Sequence, residues 1–135
     1  MMPLLFVAAA SADLDSLSQA VAQCNRAAVN PMFAGEAARR SAFLLDAYKQ
    51  QEAIVADRLA LADQRRAMRD DASAKADQKD LEKQLDQQQA DIEDRQKALN
   101  DRRMLEGIRE DAMDSLRHYF LLNCPAGVGE DRAKH

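Results

Sequence analysis

The sequence has few of the residues on which compact, chemically active domains depend. Its 135 residues include no tryptophan, four glycines, three prolines, two cysteines and two histidines. Aromatic residues make up 4% of the chain although hydrophobic residues reach 47%, because alanine supplies much of the apolar fraction. Alanine favours helix but buries little surface. The composition therefore predicts solvated helices around a thin core.

No block of one charge sign stands out, and this excludes a common class of partner. The net charge is −4, and the stretch 62–103 carries ten basic and eleven acidic residues, closely interleaved. A protein that binds phosphates needs a basic face, so we do not expect nucleic acid as a partner. No stretch pairs a basic face with a strongly apolar one, which argues against a helix lying on a membrane surface.

Motifs for chemistry are also missing. The histidines are His118, within a helical pattern, and His135 at the end of the chain, and no glycine-rich elbow precedes a serine. A metal site assembled from Cys24, Cys124 and His118 would lack the close ligand spacing typical of zinc sites. The glycines form no phosphate loop. The sequence therefore predicts a protein that is not an enzyme, with no catalytic residue, metal or cofactor.

The first twelve residues differ from the rest of the chain. Residues 3–10 form an apolar run, and Ala10-Ser11-Ala12 precedes Asp13, as at a signal-peptidase site. We interpret residues 1–12 as a signal peptide and predict a periplasmic or secreted protein. No basic residue precedes Arg26, so an apolar lead-in to a helix in a cytoplasmic protein is the alternative. The run is too short to span a bilayer.

Three helices follow in a single predicted domain, residues 13–135. The first, 13–29, carries an apolar stripe at helical spacing, and Asn30-Pro31 is a favoured start for the second. The predicted boundaries are a helix over 31–70, a turn over 71–79, a helix over 80–122 and a tail over 123–135. The residues of the first stripe are Leu14, Leu17, Val21, Cys24 and Ala28.

The distribution of apolar residues favours a chain reversal near residue 75. No glycine or proline interrupts that region, so one helix of about ninety residues is the alternative. A reversal pairs apolar positions that lie about equally far from it, and it brings the cysteines together. The fold class is therefore all-α, a long antiparallel hairpin with a coiled-coil arm and the short first helix packed on its base. The predicted pairs are Leu59 with Ile92, Val55 with Leu99, Leu45 with Leu105, Leu44 with Ile108, Phe33 with Leu116 and Cys24 with Cys124.

The two cysteines then predict a disulfide bond. An even cysteine count in an exported protein is typical of a covalent crosslink. The alternative is a pair of reduced thiols packed as small apolar groups in a cytoplasmic protein. Export and the bond between Cys24 and Cys124 therefore depend on each other.

These features favour an exported coiled-coil interaction protein that binds protein clients like a chaperone. The alternative is a structural or adaptor component of an envelope or secretion assembly. In layout alone, the hairpin behind a signal peptide resembles the periplasmic OmpH/Skp chaperones. That family has a β-stranded body and basic arms, whereas this chain shows no strand pattern and a charge-balanced arm. The partners are expected to be proteins, with no nucleic acid and no membrane span. The partner-binding residues and a homo-oligomeric state stay open.

Overall fold

The computed structural model describes residues 3–71 and 78–125, with side chains from Asp13 onward. This part of the chain consists of three helices and contains no strand. The two long helices pack against each other together with the short one, which confirms the predicted all-α hairpin. Most of the predicted turn (72–77) and of the tail (126–135) lies outside the described residues. The helices are α1 (Pro3–Ala22), α2 (Arg26–Asp70) and α3 (Gln78–Asn123).

The break between α1 and α2 lies five residues earlier than the sequence predicted, at Cys24 and Asn25. Cys24 has a left-handed φ of 53°. The N–H of Asn25 bonds the carbonyl of Ala20, and that of Cys24 bonds the carbonyl of Val21. This is a Schellman C-cap. Asn25 then caps α2, since its Oδ1 accepts a hydrogen bond from the N–H of Ala28.

Pro31 consequently lies inside α2 and does not begin it. Proline has no N–H, so the carbonyl of Ala27 receives no helical hydrogen bond from it, and an interior proline costs roughly 3 kcal/mol. The packing on either side offsets this cost, because Val29 is fully buried and Met32 and Phe33 pack against the same core. Tertiary packing has here overridden the local signal at Asn30-Pro31.

The chain divides into two compact units, residues 1–41 with 106–135 and residues 42–105. We call the first the three-helix unit. Its described core takes side chains from all three helices, as the sequence predicted for the base of the hairpin. Phe33 and Phe120 contact each other with ring centroids 6.4 Å apart. The buried residues are Leu17, Ala20, Val21, Val29, Met113, Phe120 and Cys124.

The second, the two-helix unit, has a heptad core. On α3 the buried positions are Leu85, Ile92 and Leu99, seven residues apart. On α2 they are Ala47, Ile54 and Leu61, and here the predicted pairing was wrong. The side chains predicted to face α3 are exposed, each by 44% or more of its surface: Leu44, Leu45, Val55 and Leu59.

Candidate functional site

The structure brings the two predicted site residues together. The Sγ atoms of Cys24 and Cys124 lie 1.98 Å apart, at disulfide distance, and the Cα atoms 5.4 Å apart. Cys24 does not lie on the inward stripe of α1 as predicted; it occupies the turn and is exposed, whereas Cys124 is buried. Arg26 donates a 2.9 Å hydrogen bond to the carbonyl of Cys124 and lies 4.9 Å over the ring of Phe120. The ends of α1 and α3 and the start of α2 therefore meet at this pair.

A cluster of charged side chains joins α2 to α3 in the three-helix unit. The guanidinium of Arg39 donates to both carboxylate oxygens of Glu106, at 2.5 and 3.1 Å, and also to Glu36. Arg109 donates to the second oxygen of Glu36 at 3.2 Å. Glu106 is buried, and Glu36 and Arg109 are largely so. Two glutamates and two arginines thus balance their charges away from most of the solvent.

The cluster shifts the pKa values of Glu36 and Arg39. Burial alone would raise the pKa of Glu36, but the hydrogen bonds and positive charges of Arg39 and Arg109 hold that pKa below its ordinary value of 4.5. The pKa of Arg39 is raised by its hydrogen bonds to Glu36 and Glu106. Both shifts stabilise the charged forms of Glu36 and Arg39.

The sequence interpretation missed Glu106, although a signal for it was present. Glu106 continues the α3 heptad, seven residues after Leu99 and seven before Met113, and all three are buried. A charged residue at an apolar heptad position indicates a buried partner of opposite charge on the facing helix. Arg39 is that partner.

An unpaired apolar surface runs along α2 in the two-helix unit. It consists of Leu44, Tyr48, Val55 and Leu59, which we call the α2 stripe. At 3.6 residues per turn, these four lie within about 60° of arc around the helix. Their exposed fractions are 52%, 66%, 44% and 64%. A run of large exposed side chains on one face is typical of a surface that binds another protein.

A second apolar surface lies on α3 in the three-helix unit. Ile108, Tyr119 and Leu122 form this α3 stripe, with exposed fractions of 59%, 51% and 69%. They also fall within about 60° of arc. The half-buried Ala112 lies on the same face. This face is distinct from the one that Met113 and Phe120 turn toward the core.

The opposite side of the two-helix unit is polar. A groove of about 530 Å³ runs between α2 and α3 there. Asp57 accepts a 2.6 Å hydrogen bond from Arg95 across it. Its charged groups are thus partly paired, and its lining is more polar than apolar. The lining residues are Asp57, Ala60, Leu61, Gln64, Gln87, Gln88, Asp91, Ile92 and Arg95.

No group of three His, Cys, Asp or Glu side chains that could hold a metal occurs among the described residues. His118 is exposed on α3. Over the same residues, none of the helices is both long and apolar enough to cross a membrane. Comparison with protein-family models, curated proteins and solved structures found no match for this chain.

Proposed function

We propose that this chain is an exported, non-enzymatic interaction protein that binds apolar segments of client proteins in the manner of a chaperone. The α3 stripe is the observation that carries the proposal. Ile108, Tyr119 and Leu122 expose more than half of their surfaces, although a thin-cored protein gains stability from each large side chain that it buries. Their exposure is accounted for if a partner covers them.

The form of the surface favours apolar chain segments over a small ligand. A small-molecule site is usually a concave pocket that encloses most of its ligand. The α3 stripe instead follows one side of a helix from Ile108 to Leu122, a rise of about 21 Å over fourteen residue steps of 1.5 Å. Such a surface suits an extended or helical segment that presents apolar side chains at regular intervals.

Export is supported by the cysteine geometry and by the apolar run at residues 3–10. Sulfurs at bonding distance suit an oxidising compartment, where such crosslinks persist. Intact mass spectrometry of protein from its native host tests this part. We expect cleavage before Asp13 and a mass two hydrogens below that of the reduced form. An uncleaved chain with two free thiols would contradict export.

An aggregation assay tests client binding. The protein should suppress the aggregation of several unrelated unfolded proteins, and Tyr119→Ser with Leu122→Ser should weaken this suppression at least about threefold. Leu45→Ser is the matched control, because Leu45 is equally exposed but belongs to neither stripe. Equal suppression of aggregation by the double variant and the control would show that clients do not bind through the α3 stripe.

The alternative function is an adaptor in an envelope or secretion assembly. An adaptor should bind one partner through this surface and ignore unrelated unfolded proteins. Failure to suppress any aggregation, together with retention of one partner from an envelope extract that Leu122→Ser abolishes, would favour the adaptor.

A further inference from the structure

We propose that a second copy of this chain docks on the α2 stripe, antiparallel to the first, so that the protein forms a symmetric dimer through α2. The inference concerns a different surface from the proposed client site and does not depend on it. It assigns an occupant to an exposed apolar face of the two-helix unit.

The spacing of the four residues in the α2 stripe favours an antiparallel dimer. Leu44 and Tyr48 are four residues apart, Tyr48 and Val55 seven, and Val55 and Leu59 four. The pattern reads the same in both directions. In an antiparallel pair related by a two-fold axis near residues 51 and 52, Leu44 of one copy therefore meets Leu59 of the other, and Tyr48 meets Val55.

Two-fold symmetry requires a surface that is complementary to itself. Every large side chain of the α2 stripe finds an apolar counterpart in this one register. A shift of the pairing by one helical turn leaves Leu44 or Leu59 beyond the end of the partner's stripe. The reversed pattern thus favours one antiparallel register, as a buried heptad does in a coiled coil.

The exposed apolar side chains are confined to one side of α2, which favours docking of a partner on that side over nonspecific association. Asp57 lies on the opposite side of α2 from Tyr48 and Val55 and lines the polar groove. On one edge of the stripe, Gln51 and Arg58 both hydrogen-bond Gln96 of α3 and so give that edge a polar border. An apolar centre with a polar border is the usual organisation of a protein interface.

The size of the surface sets the expected strength. Four residues per copy over a length of about 22 Å bury less than the roughly 800 Å² per partner of a standard interface. We therefore expect a dimer with a dissociation constant of about 1–100 μM, corresponding to about −8 to −5.5 kcal/mol.

Sedimentation equilibrium from about 1 μM to about 1 mM protein tests the proposal. The mass should rise from that of one chain to that of two across this range. Val55→Glu should raise the dissociation constant at least about tenfold, because a carboxylate is then placed in the apolar contact of both copies. Ala53→Glu is the matched control: Ala53 is exposed two residues away, outside the stripe, and the same charge there should leave the mass curve unchanged.

Leu59→Lys provides a second variant, and circular dichroism should show both stripe variants to be as helical as the parent chain. A mass of one chain throughout the concentration range would overturn the proposal. A dimer that Val55→Glu and Leu59→Lys both leave intact would overturn it as well.

A spin label on a non-natural amino acid at position 62 tests the orientation. In the antiparallel register the two labels lie about 30 Å apart along the helices, at 1.5 Å per residue. A parallel dimer would place them within about 10 Å, the distance between packed helices, and would contradict the proposed docking.

Discussion

Arg39 on α2 donates two hydrogen bonds to the carboxylate of Glu106 on α3. Glu106 occupies a buried heptad position, and the equivalent positions seven residues before and after it are the buried Leu99 and Met113. A charged layer among apolar ones contributes little net stability, because desolvation offsets much of the attraction. It does penalise misaligned pairings strongly, since a shift of one heptad would leave the buried Glu106 without its partner Arg39. We infer that Arg39 and Glu106 select the alignment of α2 and α3 in the three-helix unit.

Removing either partner should therefore have unequal effects. Arg39→Met leaves buried Glu106 without its guanidinium and should lower the free energy of unfolding by about 2 kcal/mol. Glu106→Leu leaves Arg39 bonded to Glu36 and completes the apolar heptad, so it should change stability by less than about 1 kcal/mol or raise it. Urea denaturation measures both, with Arg40→Met as control, since the neighbouring Arg40–Glu110 pair is half-exposed and should contribute less than about 1 kcal/mol. Equal losses for Arg39→Met and Glu106→Leu would contradict this account.

The same cluster predicts a pH dependence in acid. The pKa of Glu36 is lower in the folded state than its ordinary value of 4.5, so the unfolded chain binds this proton first as the pH falls. Its contribution to stability is present above about pH 5.5 and is lost as the pH falls through the folded pKa. The pKa of Arg39 is raised, so its contribution to stability is fully present throughout the acid range and is lost only in strong alkali. The stability difference between the parent and Glu36→Gln should shrink between pH 6 and pH 3, and a constant difference would argue against the shift.

Two leucines two residues apart test the pairing of the helices. Leu61 is 7% exposed and packs in the heptad core, whereas Leu59 is 64% exposed. Leu61→Ala should cost about 2–4 kcal/mol by leaving a cavity. Leu59→Ala should cost less than about 0.5 kcal/mol when measured at low micromolar protein, where a dimer contributes little. A larger loss of stability for Leu59→Ala than for Leu61→Ala would support the helix pairing that the sequence alone predicted.

Reduction should weaken the fold through the unfolded state. A bond between Cys24 and Cys124 closes a loop of 100 residues, which in the chain-entropy model is worth up to about 4.7 kcal/mol. Thermal melts with and without a thiol reductant should therefore differ. The Cys24→Ser/Cys124→Ser variant should have the melting temperature of the reduced parent, and the reductant should not change it. Identical melts of the parent under both conditions would show that the bond is absent or without effect on stability.

The sequence predicted the helical class, the chain reversal and the approach of the two cysteines because each depends on long-range regularities. The alanine-rich, charged composition favours helix, and the apolar residues and the two cysteines lie at similar distances from residue 75, which favours a reversal even though the individual pairs on α2 were wrong. On α3 the buried Leu85, Ile92 and Leu99 recur every seven residues along one apolar track, a spacing that the sequence itself contains.

The sequence alone could not predict which face of α2 packs against α3, because α2 carries two apolar tracks. One contains Ala47, Ile54 and Leu61, and the other is the α2 stripe, which has the larger side chains. Hydrophobicity alone favours the stripe, but the structure buries the track that includes alanine, where the helices can approach closely. The start of α2 was misplaced for a similar reason. Asn25 and Asn30 are equivalent caps by residue type, and the turn at Cys24 decides between them.

The position of the cysteine pair also governs what a protease can do to this molecule. With the sulfurs bonded, residues 24–124 form a covalent ring that includes all of α2 and α3. A single cut anywhere in that ring, for example at Arg69 before the helix reversal, opens the chain without releasing a fragment. Both pieces remain one molecule of unchanged mass apart from one added water, and they separate only after reduction. With the bond in place, a first cleavage is a nick that leaves both helices covalently joined, and not a loss of half the hairpin.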